Sequence, residues 1–347
     1  MLERYITTYR GGTILESVPT TCVIIPTYNR KDSLLQTLDS LGQQTFPMDR
    51  LVVVVVDDGS TDDTQTIASQ QFPFTFRYVQ QKNQGATAAR NHGATISQSE
   101  VLVFIDDDIT ISPQTLEAFA EKCGQRTKVL AMGTINKRSS VTASVYTPVV
   151  LTMADHSLIA DDDVEFHFID CNSELLACKR RDFFDIGMFQ DPTAGHGWPN
   201  WDDVDFGYRA HLKGFRLLGT SKAIAEHWDY SISNRTMACQ RFYRAGRSAV
   251  WLFKRHPELQ TLIPMLYDKT PPAWGYDSPL LIARKLARHL LSSPPVLGSM
   301  LKLVSILEQH YPSPVVLRRL YYLLHGANLL LGYREGLREF KLAGAQE

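Results

Sequence analysis

The chain has 347 residues, 44% hydrophobic and 21% charged, the balance of a globular protein with room for one large α/β domain and an appendage rather than of a disordered chain. Five scattered cysteines lack Cys-x-x-Cys spacing, which argues against a zinc site or disulfide framework, and no apolar run nears the roughly 20 residues of a bilayer span. The net charge of −1 hides an asymmetry, since residues 231–347 hold 16 Lys and Arg against 7 Asp and Glu while the remainder holds 20 against 30.

Taken in chain order, apolar runs suited to strands recur at 22–26, 51–56, 74–79 and 101–105, roughly every 25 to 30 residues. Between them lie helical patterns, Leu34, Leu35, Leu38 and Leu41, then Ala88, Ala89, Ala94 and Ile96. Strand, helix, strand at that spacing is the βαβ crossover that parallel strands require, so residues 20–110 read as a nucleotide-binding half-sheet. From 134 to 170 the pattern weakens, and extended segments with a mobile loop are expected. The acidic triplet there, Asp161, Asp162 and Asp163, follows no buried strand and reads as a solvated turn. Regular signals return at 171–178 and 180–184, followed by a Gly/Trp-rich stretch over 195–201. A strand over 215–219 and a short turn then lead to His227. Beyond 230 the chain reads as helices broken by proline-rich linkers at Pro271 and Pro272, Pro294 and Pro295, and Pro312 and Pro314.

Asp106, Asp107 and Asp108 directly follow the run 101–105, which sets three carboxylates at the carboxyl end of a buried parallel strand, where open α/β sheets bind ligands. Like charges that close repel unless neutralised, and a hard divalent cation that also holds phosphate oxygens is the usual neutraliser. As a bare motif the triplet is equally a solvated turn before the helix that Pro113 helps to start. Other polar loops fall at the same edge. Pro26, Thr27, Tyr28, Asn29 and Arg30 follow the first strand, and Asp57, Asp58, Gly59, Ser60, Thr61 and Asp62 follow the second. A carboxylate in the second loop can accept from a uracil imide or a ribose hydroxyl, or it can simply cap a helix. Lys82 and Gly85 precede a helix start that favours phosphate, and Arg90 can pair with the aspartates or a diphosphate, or lie along the helix surface.

Further on, Trp198, Trp201, Asp202, Asp203, Asp205, Phe206 and Tyr208 combine acids with aromatic cover. One acid held at a helix start under such cover has the raised pKa of a general base, although an ordinary acidic first turn looks the same. A lone histidine such as His227 is more often structural than a ligand. Arg241, Arg244 and Arg247 would share a helix face near Lys254 and Arg255, suited to anionic lipid, to a lipid-diphosphate acceptor, or to plain solvation.

Together these residues resemble the inverting GT-A glycosyltransferases of family 2, over about two-thirds of the chain. The resemblance rests on 25–30, 56–62, Gly85 with Ala89, Arg90, Asn91 and Gly93, the DxD-type Asp106 to Asp108, and 201–209. It implies a Rossmann-like α/β fold with a mostly parallel central sheet and flanking helices, a catalytic domain over 1–235 and a basic helical region over 236–347. It implies a donor site of Pro26, Tyr28, Asn29, Asp57, Asp58, Lys82, Gly85, Arg90, Asp106 and Asp107, and Mn²⁺ or Mg²⁺ held by Asp106, Asp108 and His227. Asp203 becomes the catalytic base, with Asp202, Trp201 and Trp198 on the acceptor side. Asp202 stands where the family usually has Glu, one methylene longer. The Gln-x-x-Arg-Trp motif of processive synthases is not found, so a single addition is expected, from a nucleotide-diphospho-sugar to a glycan or lipid-linked acceptor. The expected location is cytoplasmic, peripheral to the inner face of the membrane if the basic region touches lipid, with no nucleic-acid partner. A nucleotidyltransferase or a non-catalytic nucleotide-sugar sensor would share the acidic strand end; transfer or hydrolysis of a nucleotide sugar separates enzyme from sensor.

Overall fold

The computed structural model describes residues 5–9, 12–16, 18–138, 159, 161–190, 201–228, 234–263 and 272–343. The chain forms two compact units. The first comprises Met1–Asn136, His156–Gln190 and Asp203–His227; the second comprises Lys137–Asp155, Asp191–Asp202 and Trp228–Glu347.

In the first unit, β1 (Tyr5–Tyr9) and β2 (Gly12–Glu16) form a separate hairpin. The remaining strands make one nine-stranded sheet in the order β5-β4-β3-β6-β10-β8-β11-β7, with β9 against β11. Here β3 is Thr21–Thr27, β4 Leu51–Asp57, β5 Thr75–Gln80 and β6 Val101–Ile105, the four runs expected from the sequence, and they pair in parallel. In β4, Val53 and Val55 enter the core on one face of the sheet and Val54 and Val56 the core on the other. That is why five consecutive valines suit this position, where helices cover both sides. Pro26 follows Ile24, the last residue of β3 paired with β6, so its missing N–H costs no hydrogen bond on that side.

Helices α1 (Lys31–Gly42) and α3 (Thr115–Gln125) cover the first face through Leu34, Leu38, Leu116 and Phe119. On the other face lie α2 (Ala86–Ile96), α4 (Arg180–Ile186) and α5 (Asp202–Leu212), contributing Ala89, Phe183 and Phe206.

The sheet is mixed rather than mostly parallel. Strand β10 (Leu175–Lys179) is antiparallel to both β6 and β8 (Val129–Arg138), and β11 (Arg216–Trp228) is antiparallel to β7 (Ile109–Ile111) and to β9 (Glu165–Phe166). Two corrections follow for the sequence reading. A strand, β7, comes between the aspartates and the helix near Pro113. His227 lies inside one long strand, with no turn separating it from 215–219.

The acidic triplet 161–163 is an exposed turn that also fastens the structure. Asp162 accepts from the Ser221 N–H at 2.8 Å, and Asp163 pairs with Lys122 at 2.9 Å and Arg126 at 2.6 Å. Those two cations hold the Asp163 carboxyl down at about 2. Most of the loop expected within 134–170 lies outside the described residues.

From Arg235 onward the described residues of the second unit are helical: α6 (Arg235–Arg255), the short α7 (Leu259–Leu262), α8 (Pro279–Leu291), α9 (Pro294–His310) and α10 (Pro314–Ala343). Asn234 caps α6 by accepting from the Met237 N–H. Pro279 and Pro294 occupy first-turn positions, where a missing N–H costs nothing, so the Pro294–Pro295 pair starts a helix instead of forming a linker. Pro271 lies outside the described residues. Ala238, Cys239, Val304, Leu317, Tyr321 and Leu324 build this unit's core.

Candidate active site at the carboxyl edge of the sheet

The parallel strands deliver their following loops to one edge. Asn29, whose left-handed backbone (φ 54°) an asparagine tolerates, ties the first loop to the second. Its side-chain oxygen accepts from the Thr61 N–H at 2.7 Å, and its own N–H donates to Ser60 Oγ at 2.9 Å. Tyr28 beside it is exposed.

Asp57 and Asp58 are buried and largely engaged by their own surroundings. Asp57 accepts from Ser60 N, from the Tyr78 hydroxyl at 2.6 Å and from Gln80 Nε2. Asp58 accepts from Gln81 Nε2, from Gln84 N and, at 2.7 Å, from Gly85 N. Three donors on each carboxylate leave about one acceptor position apiece. Asp58 thereby pins the loop that carries the exposed Lys82 and the half-buried Gly85. Gly85 has φ 90°, a conformation side chains avoid, and open space where a Cβ would stand, so backbone is bared at the start of α2.

Beyond β6 each aspartate is held differently. Arg90, from α2, bonds Asp106. Asp107 accepts from the Thr27 hydroxyl at 2.7 Å and from Arg30 Nη1 at 3.0 Å, and Arg30 also reaches Asp108 Oδ2 at 2.7 Å. Burial, opposed by Arg30 and reinforced by the Asp108 charge, raises the Asp107 carboxyl to about 7. Burial likewise raises Asp106 despite Arg90, with Glu174 and Asp108 adding to the rise.

Strand pairing brings in the distant members. In β11, His227 stands opposite Ile109, the residue after Asp108, and this register sets imidazole beside carboxylate. His227 Nε2 lies 3.1 Å from Asp108 Oδ1, and Nδ1 lies 3.4 Å from Glu174 Oε2. Burial would lower the imidazole's pKa, but the Asp108 and Glu174 carboxylates outweigh it and raise it to about 10. Glu174 arrives just ahead of β10, where its carbonyl accepts from the Asp106 N–H.

Among the described residues no three His, Cys, Asp or Glu side chains form a finished metal cage. The pair Asp108 and His227 nevertheless fits a divalent ion. Asp108 Oδ1 and His227 Nδ1 are buried without a partner of good hydrogen-bond geometry. A carboxylate oxygen and an imidazole nitrogen, joined by phosphate oxygens, also suit Mn²⁺.

Of the residues expected from the sequence to serve the acceptor, Asp202 is buried and Asp203 partly exposed at the first turn of α5, where Asp203 Oδ1 accepts from the Val204 N–H at 2.8 Å. The acid fully enclosed by this helix is Asp205, which accepts from Arg209 Nε at 2.7 Å while Arg209 donates onward to the Ile186 and Met188 carbonyls. Trp201 enters the helix with φ 75°, a strained backbone for a bulky residue, and donates from its indole to the Ala245 carbonyl at 2.8 Å. Trp198 lies outside the described residues. Sequence reasoning gave no site role to Arg30, Thr27 or Glu174. Arg30 stood within a quoted motif, but nothing local linked Glu174 to the aspartates.

Residues 22–170 match the profile described as glycosyl transferase family 2. Validoxylamine A glucosyltransferase of Streptomyces hygroscopicus subsp. jinggangensis (strain 5008) is 26% identical over 283 residues, 72% of this chain and 63% of the relative. The chain therefore spans less than two-thirds of that protein's length. Among solved structures, the mannosyltransferase PcManGT from Pyrobaculum calidifontis, in complex with GDP-Man and Mn²⁺, superposes with a TM-score of 0.58 at 20% identity, over 91% of this chain and 87% of that one. GalNAc-T7 with UDP, GalNAc and Mn²⁺ gives 0.51 at 14% identity, over 86% and 59%. These likenesses establish the GT-A fold.

Proposed function

We propose that this chain, whose residues 22–170 match the glycosyl transferase family 2 profile, is a metal-dependent inverting glycosyltransferase moving a sugar from a nucleotide diphosphate, a UDP-sugar first among them, to an acceptor hydroxyl. The observation that carries this reading is the acidic end of β6, where Asp106, Asp107 and Asp108 meet Arg90, Arg30 and His227 beside the loops of β3 and β4. The two solved relatives above hold a nucleotide or nucleotide sugar together with Mn²⁺, which supports the same pairing of ligands here.

Asp108 and His227 would hold the ion, with Asp106 nearby to join them. Bound there, a divalent cation neutralises the donor's two phosphates and stabilises the departing nucleoside diphosphate. The chain's own residues do the rest. Arg30 keeps Asp107 and Asp108 oriented, and the first turn of α2 that follows Gly85 directs its N–H groups and dipole towards phosphate. Asp57 and Asp58 each keep about one acceptor position for base or ribose. Asp203, steadied through its Oδ1 by the Val204 N–H, removes the acceptor proton as the hydroxyl attacks the anomeric carbon opposite the leaving group. General-base assistance of this kind is worth about 10² to 10⁴ in rate. The test is Asp203→Asn, assayed with UDP- and GDP-sugars and Mn²⁺. Transfer should fall by at least about a hundredfold with donor affinity preserved; normal turnover in this variant removes Asp203 from the mechanism.

A further inference from the structure

Helix α8 carries an apolar face on its outer side, besides the half-buried Leu281 and Ile282 that flank Lys285 on the inner side. Leu280, Ala283, Leu286, Ala287 and Leu290 recur every three or four residues and share one face. That face is turned outward, with Leu280 81%, Leu286 49% and Leu290 65% exposed. The charged Lys285 takes the inward side, 3% exposed and bonded to Asp277 at 2.7 Å. Exposing leucines while burying a lysine leaves apolar surface in water, so the outward stripe calls for an apolar medium.

Charge and shape identify that medium. Helix α8 carries Arg284, Lys285 and Arg288 and no acid, and Arg284 borders the apolar stripe on the exposed side. Immediately before it stand Trp274 and Tyr276, 70% and 94% exposed, side chains with the apolar body and polar tip that favour headgroup depth. No single helix among the described residues is long and apolar enough to cross a membrane, and α8 with α9 passes that test only as a pair bent by 75°. At 13 residues α8 is about 20 Å long, short of a hydrocarbon core of about 30 Å.

We propose that α8, led by Trp274 and Tyr276, lies flat on the surface of an anionic lipid bilayer, with Leu280, Leu286 and Leu290 among the acyl chains and Arg284 at the headgroups. This does not depend on the sugar-transfer reading. The test is co-sedimentation of the full chain with phosphatidylcholine vesicles, with and without phosphatidylglycerol. Binding should be at least about tenfold tighter to the anionic vesicles and should weaken with salt. Leu280→Ser with Leu290→Ser should reduce it about tenfold or more at an unchanged melting temperature, and Arg284→Glu should erase part of the preference for anionic lipid. Equal or absent binding of the wild type to both vesicle types overturns the proposal even if a variant fails to fold. So does vesicle binding that folded Leu280→Ser, Leu290→Ser protein retains. A self-associated species that the double substitution dissolves, without vesicle binding, would assign the face to protein contact and overturn it equally.

Discussion

Alanine at Gly332 tests how tightly α6 and α10 are joined. A Cβ built there stands 1.9 Å from the Tyr243 carbonyl oxygen, and one at Gly246 stands 1.9 Å from that of Leu329. Ordinary carbon-to-oxygen contact needs about 3.3 Å, so either alanine must push the helices apart by roughly 1.4 Å. That opens the packing around Phe253 and Tyr333 and shifts the Tyr243–Glu335 hydrogen bond. Overpacking of this kind costs typically about 1–3 kcal/mol and occasionally more, while alanine's better helix propensity returns about 1. A backbone clash against backbone belongs at the upper end, so a net loss of about 2 kcal/mol is expected, a fall of roughly 4–8 °C in the melting of the helical unit. Gly298 in α9 is the control, with nothing within 4 Å of its Cβ, so Gly298→Ala should hold or raise the melting temperature. Gly246→Ala combined with Gly332→Ala should cost less than the sum, because one separation relieves both clashes. Differential scanning calorimetry of the wild type and the four variants reads these differences. A Gly332→Ala chain as stable as wild type would refute the close crossing.

Glu174→Gln should weaken Mn²⁺ binding by about 10- to 100-fold through loss of the carboxylate behind His227, measured by electron paramagnetic resonance of free Mn²⁺; unchanged affinity would deny Glu174 a positioning role. Burial lowers His325, stacked on Phe242, to about 4, so the folded chain refuses a proton that the unfolded chain accepts from about pH 6.5 downward. Stability should therefore decline as pH falls from 6.5 to 4, and His325→Phe should flatten that slope in urea titrations. Asp163 is the opposite charge type, a depressed carboxyl whose stabilisation is complete above about 4 and fades as pH falls towards 2. Asp163→Asn should lower the melting temperature at pH 7, with the gap to wild type closing by pH 2.

Local pattern sufficed for the parallel half of the sheet because each strand there is a continuous apolar run and each crossover helix keeps its period. It failed where pairing decides structure. Ile109, Thr110 and Ile111 are too few to announce a strand, and they become one only because β11 lies alongside. In β11, Gly219, Ser221 and Lys222 interrupt the apolar pattern, so only its first part was legible. His227 reaches Asp108, and Glu174 reaches His227, through registers between strands far apart in sequence, which no local spacing encodes. The aspartate cluster itself was legible, because an acidic triplet behind a buried run has few places to go. Its partner Arg30 was present in the motif, but its bridge to Asp107 and Asp108 depends on how β3 and β6 lie side by side.

Donor binding with cation assistance depends on the Asp108–His227 pair and its neighbours. Isothermal titration of UDP and GDP into the full chain, with and without Mn²⁺, tests this most directly when repeated on Asp108→Asn and His227→Ala. Binding of one nucleotide that strengthens with Mn²⁺ in the wild type, and loses that strengthening in both variants, is the predicted result. Nucleotide affinity indifferent to Mn²⁺, or a Mn²⁺ response that survives both substitutions, would contradict it.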